Sequence, residues 1–155
     1  MRRRSAYAAI CISMAILCSF CLAGCGGGNP GDLSDRDRET SVILRVVALQ
    51  YGDYLTSHGG APPKDQAAFR KYLDTRLDDL AAYNVKSPDE ILTSPRDSQP
   101  LVIVCGKRIA SPDAPESPWA AYEQTGVDGK RMAVSIRGGS YELTPEEFAR
   151  QIPVN

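Results

Sequence analysis

One histidine, His58, stands in the whole chain, so no two imidazoles can share a metal ion within it. Base is in short supply as well. With Arg2, Arg3 and Arg4 set aside, 15 basic residues face 19 acidic ones, a balance of -4. That leaves too little positive charge to neutralise phosphates, so nucleic acid is excluded as a partner. An anionic membrane surface would repel the same residues, so any membrane attachment must be apolar or covalent. Long apolar runs are lacking except at the start, where Ala8 to Leu22 carries no charge. Of the five cysteines, Cys11, Cys18 and Cys21 lie in that run and Cys25 just after it. Only Cys105 falls in the rest, which rules out an internal disulfide there. Gly26-Gly27-Gly28 and Gly138-Gly139 lack both the lysine and the strand–helix setting of a phosphate-binding loop. No internal repeat is visible. What remains, 155 residues with 43% hydrophobic and 24% charged, suits one folded domain rather than a disordered chain.

The first residues have a clear organisation. A basic start (Arg2-Arg3-Arg4), a short apolar run and small residues at its exit are the three parts of a secretory signal. The run is short of the roughly 20 residues a spanning helix needs, and Gly26-Gly27-Gly28-Asn29 supplies no basic stop-transfer flank. Leu22-Ala23-Gly24-Cys25 resembles the lipobox of bacterial lipoproteins. The resemblance implies diacylglyceryl transfer to the Cys25 sulfur, cleavage before Cys25, and a further acyl chain such as palmitate on its new amine. One chain binds a bilayer marginally, whereas two or three hold firmly, since each buried CH₂ contributes about 0.8 kcal/mol. Gly26 follows the cysteine instead of the aspartate that marks inner-membrane retention in some bacteria, which tilts the address toward the outer membrane. Gly26 to Asp32 reads as a flexible tether. The organisation is therefore a signal at 1–24, whose apolar run is helical, a lipidated cysteine and tether at 25–33, and one domain at 34–155.

Within the domain, Ser34 or Asp35 caps a helix running to about Ser57, with Asp37 and Glu39 suiting its positive end. Ile43, Val47, Tyr51, Tyr54 and Leu55 repeat at helical spacing, with Val46 alongside. Pro63 opens a second helix carrying Phe69, Tyr72, Leu73, Leu77 and Leu80 and ending near Asn84. The short loop between the two predicts an antiparallel pair. Ser87-Pro88-Asp89-Glu90 is a capping-box pattern. Leu101 to Cys105 is an apolar strand between Pro100 and Gly106. Trp119–Glu123 and Arg131–Ile136 alternate as strands around an Asp128-Gly129 turn, and Ser140–Leu143 follows Gly138-Gly139. Thr144-Pro145-Glu146-Glu147 opens a short closing helix. The expectation is an α+β fold: two antiparallel helices on a small antiparallel sheet of three or four strands, then a short C-terminal helix.

Tyr51 to Tyr54 leading through His58-Gly59-Gly60-Ala61-Pro62-Pro63, the segment Ser94-Pro95-Arg96-Asp97-Ser98-Gln99-Pro100-Leu101, and Gly138-Gly139 with Thr144-Pro145-Glu146-Glu147-Phe148 resemble the soluble heads of pilin-like and pseudopilin-like envelope proteins. The resemblance implies a docking subunit of a secretion or pilus-like apparatus, and offers Asp97 as a calcium ligand, against which stands the lack of any EF-hand-like ligand spacing. The chain departs from that family at its start. It has no prepilin-peptidase site, and a chain cut at Cys25 keeps no apolar helix for filament assembly.

Catalysis has one candidate pair, Cys105 with His58, in the manner of cysteine hydrolases. Its alternative is a buried, inert thiol and a solvated turn histidine. Trp119, Tyr122 and Tyr141 form a candidate aromatic platform for an envelope protein or glycan; their alternative is the core. Asp74, Asp78 and Asp79 read as a solvated face with Arg70 and Arg76. No cofactor and no metal site are expected. The domain reads as a non-catalytic binding or structural module.

Overall fold

The computed structural model describes residues 34–110 and 117–152. The signal, the lipobox residues Leu22, Ala23 and Gly24, Cys25 and the tether lie outside the described residues. No described helix is long and apolar enough to cross a membrane.

Helix α1, Asp35–Ser57, opens with a capping box. Ser34 Oγ accepts the Asp37 N–H at 3.2 Å while the Asp37 carboxylate accepts the Ser34 N–H at 3.1 Å, pairing two donors that the helix itself cannot reach. Its buried stripe is Leu44, Val47, Ala48, Tyr51 and Leu55, with Ile43 only partly covered. The helix ends where Gly59 (φ 62°) takes the left-handed turn that lets the Gly60 N–H reach the Leu55 carbonyl at 2.7 Å.

The second helix expected from Pro63 to Asn84 is in fact two. Helix α2, Gln66–Asp74, starts three residues later than expected, capped by Asp65, whose Oδ1 accepts the Ala68 N–H at 2.7 Å. Pro63 is instead buried, and its carbonyl accepts the Gly106 N–H at 2.7 Å. After a break at Thr75-Arg76 comes α3, Leu77–Ala81. The break turns Leu77 outward, 44% exposed, while Phe69, Leu73 and Leu80 stay in the core. Helix α3 closes in a Schellman motif: Asn84 (φ 60°) gives its N–H to Ala81, and Val85 gives its N–H to Leu80. The side chains of Leu80 and Val85 are both buried there, the apolar contact that accompanies this motif. A single turn, α4 (Pro88–Ile91), follows. Its Ser87 makes no side-chain cap; Glu90 reaches back one residue further and accepts the Lys86 N–H at 2.5 Å.

The sheet is an antiparallel meander, β1 (Leu101–Ile103), β2 (Trp119–Glu123), β3 (Arg131–Ser135) and β4 (Ser140–Leu143), in sequence order. The two left-handed residues Asp128 (φ 52°) and Gly129 (φ 78°) make the β2–β3 turn. Helix α1 packs on one face, against β2, β3 and β4. Helix α5, Pro145–Gln151, capped by a Thr144–Glu147 box, supplies Phe148 to the other. Strand β2 therefore lies between two apolar layers and is buried along its whole length. A bulge sorts its side chains. Trp119 pairs with Ser135 and Ala121 with Val134, so Ala120 is the extra residue. Trp119 and Tyr122, three apart, thereby share the α5 face, while Ala120 and Ala121 meet the α1 layer. Small alanines on that side let α1 approach the sheet closely. The fold is α+β.

Candidate functional site

His58 caps the C-terminal end of α1. Its ring stacks on Tyr54 with centroids 3.9 Å apart, and Nδ1 lies 2.8 Å from the Tyr54 carbonyl. A carbonyl can only accept, so Nδ1 carries the proton and donates it there. Cys105 follows β1, half-buried. Burial first, and then the charge of Asp65, push its thiol up to about 11. Among the described residues no hydrogen bond joins His58 to Cys105. A nucleophile needs a depressed thiol and a base beside it; Cys105 has the opposite shift.

The three aromatics separate. Trp119 and Tyr122 are core residues, 2% and 8% exposed, with Tyr122 edge-on to Phe148 at 5.1 Å. Tyr141 alone is exposed, its ring edge-on to Trp119 at 5.5 Å. It forms no three-ring platform with the other two. At Asp97, Oδ1 accepts the Gln99 N–H at 2.9 Å and Oδ2 the Gly126 N–H at 2.8 Å. Both oxygens are engaged in loop closure, and no described group of three or more His, Cys, Asp or Glu could hold a metal ion. The acids of α2 and α3 are exposed, as expected, and Asp79 pairs with Arg76, while Arg70 and Arg76 also reach acids outside that face. Arg70 forks onto Asp89, and Arg76 bridges Asp53 and Asp79.

Two features have no counterpart in the linear reading. One is a buried charge cluster around Arg96, itself 8% exposed. Its guanidinium donates to Glu142 at 2.8 Å, to Asp37 at 3.2 Å and to the Lys130 carbonyl at 3.0 Å. Nε faces Glu123 at 3.6 Å, a Coulombic contact too long for a hydrogen bond. Glu123 is fully buried, and its oxygens accept the Ser94 hydroxyl at 2.7 Å and the Met132 N–H at 2.8 Å. One cation thus joins α1, the loop after α4, β2, the β2–β3 turn and β4. Burial works against the charge on Arg96, but the Glu142 hydrogen bond and the carboxylates of Glu123, Glu142 and Asp37 outweigh it and raise its pKa. The geometry is that of a structural tie.

The other feature is a groove of about 650 Å³ between α1 and the segment from α3 to β1. Val42 and Ile43 line it from α1, Tyr83 and Val85 from the turn after α3. Val42 and Tyr83 are 58% and 49% exposed, two of the five large apolar residues left uncovered among those described. Tyr83 falls just before the expected helix end at Asn84. The only local signal was an aromatic beside a helix-stopping asparagine. No family model, no curated protein and no solved structure matches the chain.

Proposed function

We infer that the chain is a lipid-anchored protein of the bacterial cell envelope, whose domain from Ser34 onward is a non-catalytic binding or structural module. The observation that carries the reading is Leu22-Ala23-Gly24-Cys25 at the end of a basic-then-apolar start. Acyl chains on Cys25 hold the domain to the bilayer, and Gly26 after the cysteine supports the outer membrane. Support for binding rather than reaction comes from Cys105, whose thiol is held protonated by burial and has no hydrogen bond to His58 among the described residues.

The test is metabolic labelling with radioactive palmitate in a bacterial host, followed by membrane fractionation. The parent chain incorporates label and sediments with membranes; Cys25→Ser does neither. A Cys25→Ser chain that stays wholly in the membrane fraction refutes acyl anchoring.

A further inference from the structure

The groove between α1 and the α3–β1 segment joins an apolar interior to a rim of one charge sign. Val42, Ile43, Tyr83 and Val85 give it apolar surface, while Glu39, Asp89 and Glu90 are its charged residues, with no lysine or arginine among the lining. Asp89 is already matched by the Arg70 fork. Glu39 is exposed on α1 and has no cationic partner among the described residues. Glu90 spends Oε2 on the Lys86 N–H, which leaves its negative charge without a cation. The Schellman turn fixes the wall on the Tyr83 side: Asn84 holds the left-handed conformation, and Val85 is pinned into the core beneath it.

We propose that this groove is a docking site for a cationic polypeptide segment, with an apolar side chain seated between Val42 and Tyr83 and lysine or arginine side chains on the Glu39 and Glu90 rim. Charge complementarity selects the occupant. An acidic segment would bring its carboxylates against Glu39 and Glu90, and a neutral glycan would leave both charges unanswered. An exposed valine and tyrosine supply the kind of apolar and aromatic contact on which binding sites are centred. The proposal rests on the reading of the domain as a binding module and is independent of the lipid anchor.

The probe is a fluorescein-labelled twelve-residue peptide with a Leu-Phe centre flanked by lysines, and a second peptide with glutamates in place of the lysines. The full chain is reconstituted in phosphatidylcholine nanodiscs, and empty discs serve as the blank. Fluorescence anisotropy should show saturable binding of the lysine peptide that weakens with added salt, and none of the glutamate peptide. Glu39→Lys and Tyr83→Ala should each weaken binding about tenfold, Tyr83 being an uncovered aromatic and Glu39 one of the two unmatched charges. Both residues are exposed, so each variant should melt with the parent, which separates lost binding from lost folding. Absent binding of the lysine peptide, equal binding of the two peptides, or no response to either substitution overturns the proposal. So does self-association of the full chain that Val42→Asp abolishes, since a second copy would then fill the groove. If cross-linking on cells still captures a partner when the peptide fails, the domain remains a binding module and the groove assignment alone falls.

Discussion

Removing Arg96 should unfold a large share of this domain's stability. Glu123 is fully buried, and Arg96 is the cation that faces it. Arg96→Met keeps the volume of the aliphatic stem but leaves a buried carboxylate with two hydrogen-bond donors and no countercharge. Breaking a buried pair in this way costs about 3–5 kcal/mol, mostly from the charge left behind. Against a typical total of roughly 5–15 kcal/mol, that lowers the melting temperature by on the order of 10–25 °C in a domain of this size. Glu123→Gln is milder, because Arg96 keeps Glu142 and Asp37, and the glutamine oxygen can still accept one donor. About 1–3 kcal/mol is expected from the donor left unpaired. The decisive measurement is a double-mutant cycle by urea denaturation. Removing both charges together should cost less than the two single losses added, by about 1–3 kcal/mol, since neither charge is then stranded. Arg96→Lys should recover little, because a point ammonium cannot reach Glu142, Asp37 and the Lys130 carbonyl at once. A loss below about 1 kcal/mol for Arg96→Met, or an additive cycle, would falsify the role assigned to this pair.

Three further outcomes follow from the geometry. Gly126→Ala should cost at least about 2 kcal/mol, since a Cβ there would sit 2.0 Å from the Lys130 carbonyl oxygen at φ 78°, and a normal urea midpoint would count against that turn. Alkylation of Cys105, followed by peptide mapping, should be at least about tenfold slower in the folded than in the urea-unfolded chain and should speed up as pH rises toward 11; equal rates would mean the thiol is not shielded. At Asp37 burial opposes ionisation, but the Ser34 hydrogen bonds and Arg96 prevail; at Glu147 the Thr144 hydrogen bonds lead, with Arg150 and Lys130 adding to them against burial, so both carboxyls are depressed. A depressed carboxylate adds stability that is fully present above its ordinary acid range, hence at neutral pH, and is lost as the pH falls through the lowered folded value. Asp37→Asn with Glu147→Gln should therefore flatten the acid limb of a plot of urea midpoint against pH, and an unchanged limb would contradict these two assignments.

Local signals in the sequence marked most of the elements. The period of α1, its Ser34 cap, the Thr144 box and the bounds of β2 and β4 rest on residues within a few positions of one another, where propensity and capping act. The failures share the opposite cause. Glu123 reads as the polar end of a strand and Arg96 as a turn residue, because their side-chain partners lie 27 to 59 positions away. The bulge at Ala120 depends on register with β3, so nothing in Trp119–Glu123 alone reveals that Trp119 and Tyr122 share a face. The interruption at Thr75-Arg76 breaks a continuous apolar period, and Arg76 pairs there with Asp53 and Asp79. The groove joins α1 to residues some 40 positions later, and only folding brings Val42 and Tyr83 to one concavity.

The tie at Arg96 also decides how the domain would bear mechanical load. A pull on the chain at Ser34 meets the first turn of α1, where Asp37 is held by Arg96, and through it by Glu142 of β4. Tension is thus passed sideways into two strands at once instead of peeling α1 from its end one turn at a time. Contacts loaded together in parallel resist more force than the same contacts broken in succession. Asp37→Ala should lower the rupture force in single-molecule pulling from residue 34 more than in pulling from residue 152, since only the first path runs through the Asp37–Arg96 contact.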